Sequence, residues 1–172
     1  KELPWIDLTL YWLQKLKIPF QRKNYTEYTL FPRREPVEGF SLRIPGDWSS
    51  AAFPLAAAMV TRSSLSLHNV DVTDCQGDKQ ILHYLRAMGA CIEENCLSQQ
   101  IDVSGQETLG GICVDMDTCI DALPILAVLG CFARGTTHLY NASIARKKES
   151  DRISAIAQEL AKMGGDVEEH LD

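Results

Sequence analysis

Part of this sequence is written twice. Asp47 stands ahead of an alanine-rich apolar run, and 74 residues later Asp121 stands ahead of Ala-Leu-Pro-Ile-Leu-Ala-Val-Leu. Leu67-His-Asn69 returns as Leu139-Tyr-Asn141 at an offset of 72, and Leu85-Arg-Ala-Met-Gly89 returns as Leu160-Ala-Lys-Met-Gly164 at an offset of 75. Glu93-Glu94 and Glu168-Glu169 are also 75 apart. Four anchors in one order indicate duplicated supersecondary units, which bury equivalent faces against each other. Each unit reads as strand, helix, strand, helix, strand, strand. The fold class is therefore α/β with repeated βαβαββ units, incomplete in this chain, and the helices beginning near Asp47 and Asp121 are expected to lie buried and side by side.

Residues 1–44 stand outside the repeat and form a first domain segment, with 45–172 as most of two units of a second domain. Trp5, Leu8, Trp12 and Leu16 recur near helical spacing, and Pro4 suits a first turn, so the pattern predicts a helix over 4–17. Residues 25–31 and 40–44 alternate and read as two strands separated by a loop containing Pro32, Pro36 and Gly39. From Pro45 onward the pattern predicts a helix capped by Asp47 or Ser49, a strand over 64–70, and a helix over about 78–88 ended by Gly89. Strands follow over 91–94, 100–103 and, after Gly110-Gly111, 112–116. The closing Val-Glu-Glu-His-Leu-Asp reads as a strand just begun, and with Lys as first residue the chain reads as an internal piece of a longer protein.

The net charge of −6 disfavours broad binding to nucleic acid or anionic lipid, and no apolar run approaches the roughly 18 residues of a membrane helix. Six cysteines without a Cys-x-x-Cys pair, and four histidines (His68, His83, His138, His170) without metal spacing, argue against a zinc site. With no secretory signal in the sequence, the cysteines read as reduced core thiols of a cytoplasmic protein. Against the acidic background, Arg146, Lys147, Lys148 and Arg152 fall within seven residues, at the entrance to a helix whose apolar stripe is Ile153, Ile156, Leu160 and Met163. A helix start favours an anion, with Arg as a planar fork and Lys as a compact charge. The competing reading is a solvated turn in which Glu149 and Asp151 neutralise their neighbours. Asp121 likewise has two possible roles: capping the helix it precedes, or taking a proton from a substrate hydroxyl.

The run from Asp115 through Asp121-Ala-Leu-Pro to Gly130, followed by Arg146-Lys-Lys-Glu-Ser-Asp-Arg152, resembles the enolpyruvyl transferase family, and most closely its EPSP synthase branch. Gly46-Asp-Trp-Ser-Ser-Ala-Ala is similar to a further segment of that family. The resemblance implies an inside-out α/β barrel of two domains, each of three βαβαββ units. It implies transfer of the carboxyvinyl group of phosphoenolpyruvate to the 5-hydroxyl of shikimate 3-phosphate, with release of phosphate. By resemblance Asp121 binds the sugar-like substrate and accepts its hydroxyl proton, Glu149 moves a proton at the methylene carbon, Lys148 contacts shikimate 3-phosphate, and Arg152 contacts phosphoenolpyruvate. Asp47, Ser49 and Ser50 match a segment near the domain crossover and are expected to cap and hinge. Glu2 falls where the family often has a phosphate-binding serine, and Ile120 where it usually has proline. No metal or organic cofactor and no nucleic acid or membrane partner is implied, and the full-length protein is expected to be a monomer. An enolpyruvyl transferase acting on a UDP-sugar, or a non-catalytic anion-binding or structural fragment, are the alternatives. Lys148 and Arg152 are expected to converge on one anion-binding cleft, with Glu149 between them and Asp121 alongside.

Overall fold

The computed structural model describes residues 3–33, 35–105 and 107–172. Helix α1 (Leu3–Lys15) forms as its spacing predicts but buries none of its residues fully. A hairpin of β1 (Phe20–Lys23) and β2 (Glu27–Leu30) follows, with Phe20 opposite Leu30 and Asn24 in the left-handed region at φ 53°. Asp7 of α1 anchors it, accepting from Arg22 Nη1 at 3.1 Å and from the Tyr25 hydroxyl at 2.8 Å. The expected second strand at 40–44 is not formed; the true partner of β2 is the shorter run before it. Alternation supplies faces but no neighbour, and a strand exists only where another backbone satisfies its N–H and C=O groups. Phe40 and Ile44 are accordingly exposed.

Helix α2 (Trp48–Thr61) is capped as predicted: Asp47 accepts the Ser50 N–H at 2.9 Å. Its small residues let it pack closely, with Trp48, Ala52, Leu55, Ala56 and Met59 all buried, while Ser50, Phe53, Ala57 and Thr61 form an exposed stripe. Strands β3 (Ser64–His68), β4 (Cys91–Asn95) and β5 (Gln100–Ser104) make an antiparallel sheet with β5 central, aligning Leu65 with Val103 and Ile92 with Val103. Between β3 and β4 lies a 3-10 turn (Gly77–Gln80) leading into α3 (Ile81–Ala87). Ile101 and Val103 point inward from β5 onto the same core as Ile81, Leu82 and Leu85 of α3.

The second unit runs through β6 (Leu109–Gly110), β7 (Cys113–Asp115), two 3-10 turns (Met116–Thr118 and Ile120–Ala122), and α4 (Leu123–Phe132). Then come β8 (Ala133–Arg134), β9 (His138–Tyr140), a 3-10 turn (Ser143–Lys147) and α5 (Arg152–Lys162). The pairs β6–β8 and β7–β9 are parallel. Helices α2 and α4 pack directly on each other, and α5 lies against α4. The duplication reaches into the backbone: Asn69 and Asn141 share left-handed φ values of 63° and 58°, and Gly89 and Gly164 end their helices at 110° and 89°.

Three further expectations fail. Residues 166–172 form no strand, so Glu168-Glu169 lacks the setting that Glu93-Glu94 has in β4. Met163 falls off the end of the α5 stripe and is 75% exposed, since helix geometry stops at Lys162. Of the cysteines only Cys119 is buried; Cys91 and Cys113 sit on the outward phase of their strands, beside the inward-facing Ile92 and Val114. All six thiols are free.

Candidate active site

Three aspartates precede long helices, and their side chains do different things. Asp47 Oδ2 takes the Ser50 N–H and, at 2.6 Å each, the hydroxyls of Ser49 and Ser50. Although burial works against its ionised form, these donors hold the Asp47 carboxyl below its ordinary range. Asp151 caps α5 through the Ser154 N–H at 3.0 Å. Asp121 caps nothing. It lies in the Ile120–Ala122 turn, the cap position of α4 belongs to Ala122, and Pro124 in the first helical turn has no N–H to satisfy. Its carboxylate instead accepts Arg152 Nη1 at 2.6 Å and has Lys148 Nζ at 3.8 Å.

Arg152 divides its guanidinium fork. Nε and Nη2 go to the two oxygens of Glu149 at 2.9 and 3.1 Å, while Nη1 goes to Asp121. One cation therefore bridges two carboxylates of unequal exposure: the side chains of Asp121 and Arg152 are 22% and 23% exposed, that of Glu149 67%. The Arg152 hydrogen bonds are the largest reason that the Glu149 carboxyl titrates below its ordinary value, and Glu149 and Asp121 in turn raise the pKa of Arg152. The group opens onto a cleft of about 590 Å³, lined also by Ser49, Phe53, Pro124 and Glu159.

The four clustered cations do not act together. Arg146 turns away, bridging Asp151 at 2.9 Å and Glu169 at 2.8 Å and donating to the carbonyls of His170 and Leu171. Lys147 is exposed, Arg152 lines the cleft with Asp121 and Glu149, and Lys148 stands beside Asp121 without lining it. Glu2 lies outside the described residues. Ser49 lines the cleft as well as serving the cap. One charged residue escaped the sequence reading: Asp78, buried near Asp121, whose place inside an expected helix offered no signal. Among the described residues no three His, Cys, Asp or Glu side chains gather as a metal site requires.

Duplicated α/β units whose helix starts bring Arg152 and two carboxylates onto one cleft, with Lys148 beside Asp121, define an α/β repeat protein with a charged cleft. The chain belongs to the EPSP synthase (3-phosphoshikimate 1-carboxyvinyltransferase) family, whose model matches residues 1–172. It is 48% identical over 169 residues to a 3-phosphoshikimate 1-carboxyvinyltransferase of Chlamydia muridarum (strain MoPn / Nigg), a match covering 97% of this chain. A protein of the same name from Chlamydia pneumoniae is 47% identical over 170 residues, covering 98% of this chain. The chain spans 37% of the length of each of these relatives. A solved structure of EPSP synthase from Acinetobacter baumannii superposes with a TM-score of 0.79 at 27% identity, over 95% of this chain and 38% of that one. No helix among the described residues is long and apolar enough to cross a membrane.

Proposed function

We propose that this chain supplies one wall of an active site that transfers the carboxyvinyl group of phosphoenolpyruvate to the 5-hydroxyl of shikimate 3-phosphate. In this reading residues 1–44 close one domain and residues 45–172 form most of two units of the next, in a cytoplasmic enzyme that works as a monomer. The observation that carries it is the single Arg152 fork held between Asp121 and Glu149, with Lys148 beside Asp121.

Both substrates are anions. A phosphoenolpyruvate anion that takes the Arg152 fork releases two carboxylates at once. Asp121 then accepts the proton of the 5-hydroxyl as that oxygen bonds to C2 of phosphoenolpyruvate. Glu149, no longer held ionised by Arg152, acquires the proton it delivers to the methylene carbon. Collapse of the tetrahedral adduct breaks the C2–phosphate oxygen bond, the proton held by Asp121 leaving with the phosphate, and Glu149 takes a proton back from the new methyl group, restoring the vinyl. Lys148 serves as a point charge for shikimate 3-phosphate. The 172 residues alone are expected to be inactive, since they line only part of such a cleft.

Calorimetry on the complete protein tests the assignment. Lys148→Met is expected to weaken shikimate 3-phosphate binding and Arg152→Gln that of phosphoenolpyruvate, each by roughly 1.5–3 kcal/mol for a lost charge-assisted contact. If both variants bind both ligands as wild type does, the cleft is a solvated turn and the reading fails.

A further inference from the structure

Asp78 is a buried ionisable group that the proposed chemistry leaves unused. It lies in the Gly77–Gln80 turn and is 2% exposed, and its Oδ1 has no hydrogen-bond partner among the described residues. Packing dictates its place. A Cβ on Gly77 would overlap the Thr118 carbonyl oxygen and stand 2.9 Å from Pro4, so the turn is wedged between α1 and the segment that leads to Asp121. Asp78 stands three residues before α3, whereas Asp151 stands immediately before α5. There Asp151 caps its own helix; the turn that holds Asp78 packs instead against the Ile120–Ala122 turn of the neighbouring unit, which carries Asp121.

Three charged side chains act on it from the surrounding elements: Asp121 ahead of α4, Asp47 ahead of α2 and Lys148 ahead of α5. The Cys119 thiol is a further titratable neighbour. A carboxylate with one unsatisfied oxygen and two like charges nearby is costly to bury as an anion, and less so as the neutral acid. Burial first, then Asp121 and Asp47, push the Asp78 carboxyl up to about 6, against the opposing charge of Lys148. An anion entering the cleft adds negative charge and engages Lys148, and both changes favour the proton.

We infer that Asp78 is a positioning residue acting through Asp121: it supports the Ile120–Ala122 turn and takes one proton from solvent when an anionic ligand fills the cleft, returning it on release. The inference rests on the proposed function for the ligand, and its test separates the two.

The complete protein without ligand is unfolded thermally from pH 4 to 8, as wild type and as Asp78→Asn. Wild type is expected to lose Tm relative to the variant as pH rises from 4 through 6, because the folded state holds the proton more tightly than the unfolded one. A pH-independent difference overturns the inference. Calorimetry of shikimate 3-phosphate binding at pH 7, in two buffers of different ionisation enthalpy, is expected to show greater proton uptake by wild type than by Asp78→Asn. The titration of the ligand itself cancels, and equal uptake overturns the inference. In steady-state assays Asp78→Leu is expected to lower kcat at least tenfold with smaller changes in KM, and Asp78→Asn to recover most of that loss; a wild-type kcat in Asp78→Leu refutes the positioning role. If the complete wild-type protein binds neither substrate, the proposed function fails, and the ligand-free unfolding comparison still decides Asp78.

Discussion

Asp121→Asn separates the ion-pair role of this residue from its proposed chemistry. Asparagine keeps the size and can still accept from Arg152, but it carries no charge and cannot take a proton at neutral pH. The stability cost is set by what Arg152 retains. Its two bonds to Glu149, at 2.9 and 3.1 Å, remain, so no cation is orphaned, and the 2.6 Å contact to position 121 changes from charge-assisted to neutral. Such a contact is worth about 1.5–3 kcal/mol with charge and about 0.5–1.5 without, so the difference is about 1 kcal/mol. Loss of a positioned base costs roughly 10²–10⁴ in kcat, about 2.7–5.4 kcal/mol of barrier. Phosphate release at saturating substrates and denaturant unfolding, on the same preparation of the complete protein, measure the two quantities. The expected result is a kcat at least a hundredfold lower, KM nearly unchanged and stability lower by about 1 kcal/mol. An unaltered kcat with the stability loss intact would reduce Asp121 to a counter-ion and refute its role as base.

Other perturbations probe the frame around the cleft. Leu126→Ala, at the fully buried contact face of α4, is expected to destabilise the protein by about 2–5 kcal/mol in denaturant unfolding. Gly77→Ala is expected to displace the Thr118 segment and lower both Tm and kcat; an unchanged Tm would show that the turn has room which its close approach denies. Asp47→Ala removes the α2 cap and is expected to cost roughly 0.5–2 kcal/mol near pH 7. Because the Asp47 carboxyl is held low in the folded state, its contribution is present above about pH 4, its unfolded value, and is lost as pH falls through the folded one, so wild type and variant should converge in acid.

Local chemistry and period were legible in the residues themselves. Spacing and composition place α1, α2 and α5, Asp47 is one of the two caps the residues offered for α2, and the repeat offsets foretell the packing of α2 on α4. The motif around Lys148, Glu149 and Arg152 also falls at a helix entrance, as its apolar stripe implies. These properties depend on a few neighbouring residues, or on a pattern that copies itself, so the order of residues suffices to determine them. Tertiary structure alone decided which groups meet. Alternation at 40–44 could not form a strand without a backbone beside it, and the four basic residues near Arg146 were divided only when residues 169–171 folded back to claim that arginine. Whether Asp121 would cap a helix or face a cation depended on Arg152, 31 residues away, and the burial of Asp78 depended on contacts with α1 and the second unit. Those outcomes depend on distance and desolvation between segments remote in sequence, and no local pattern encodes either.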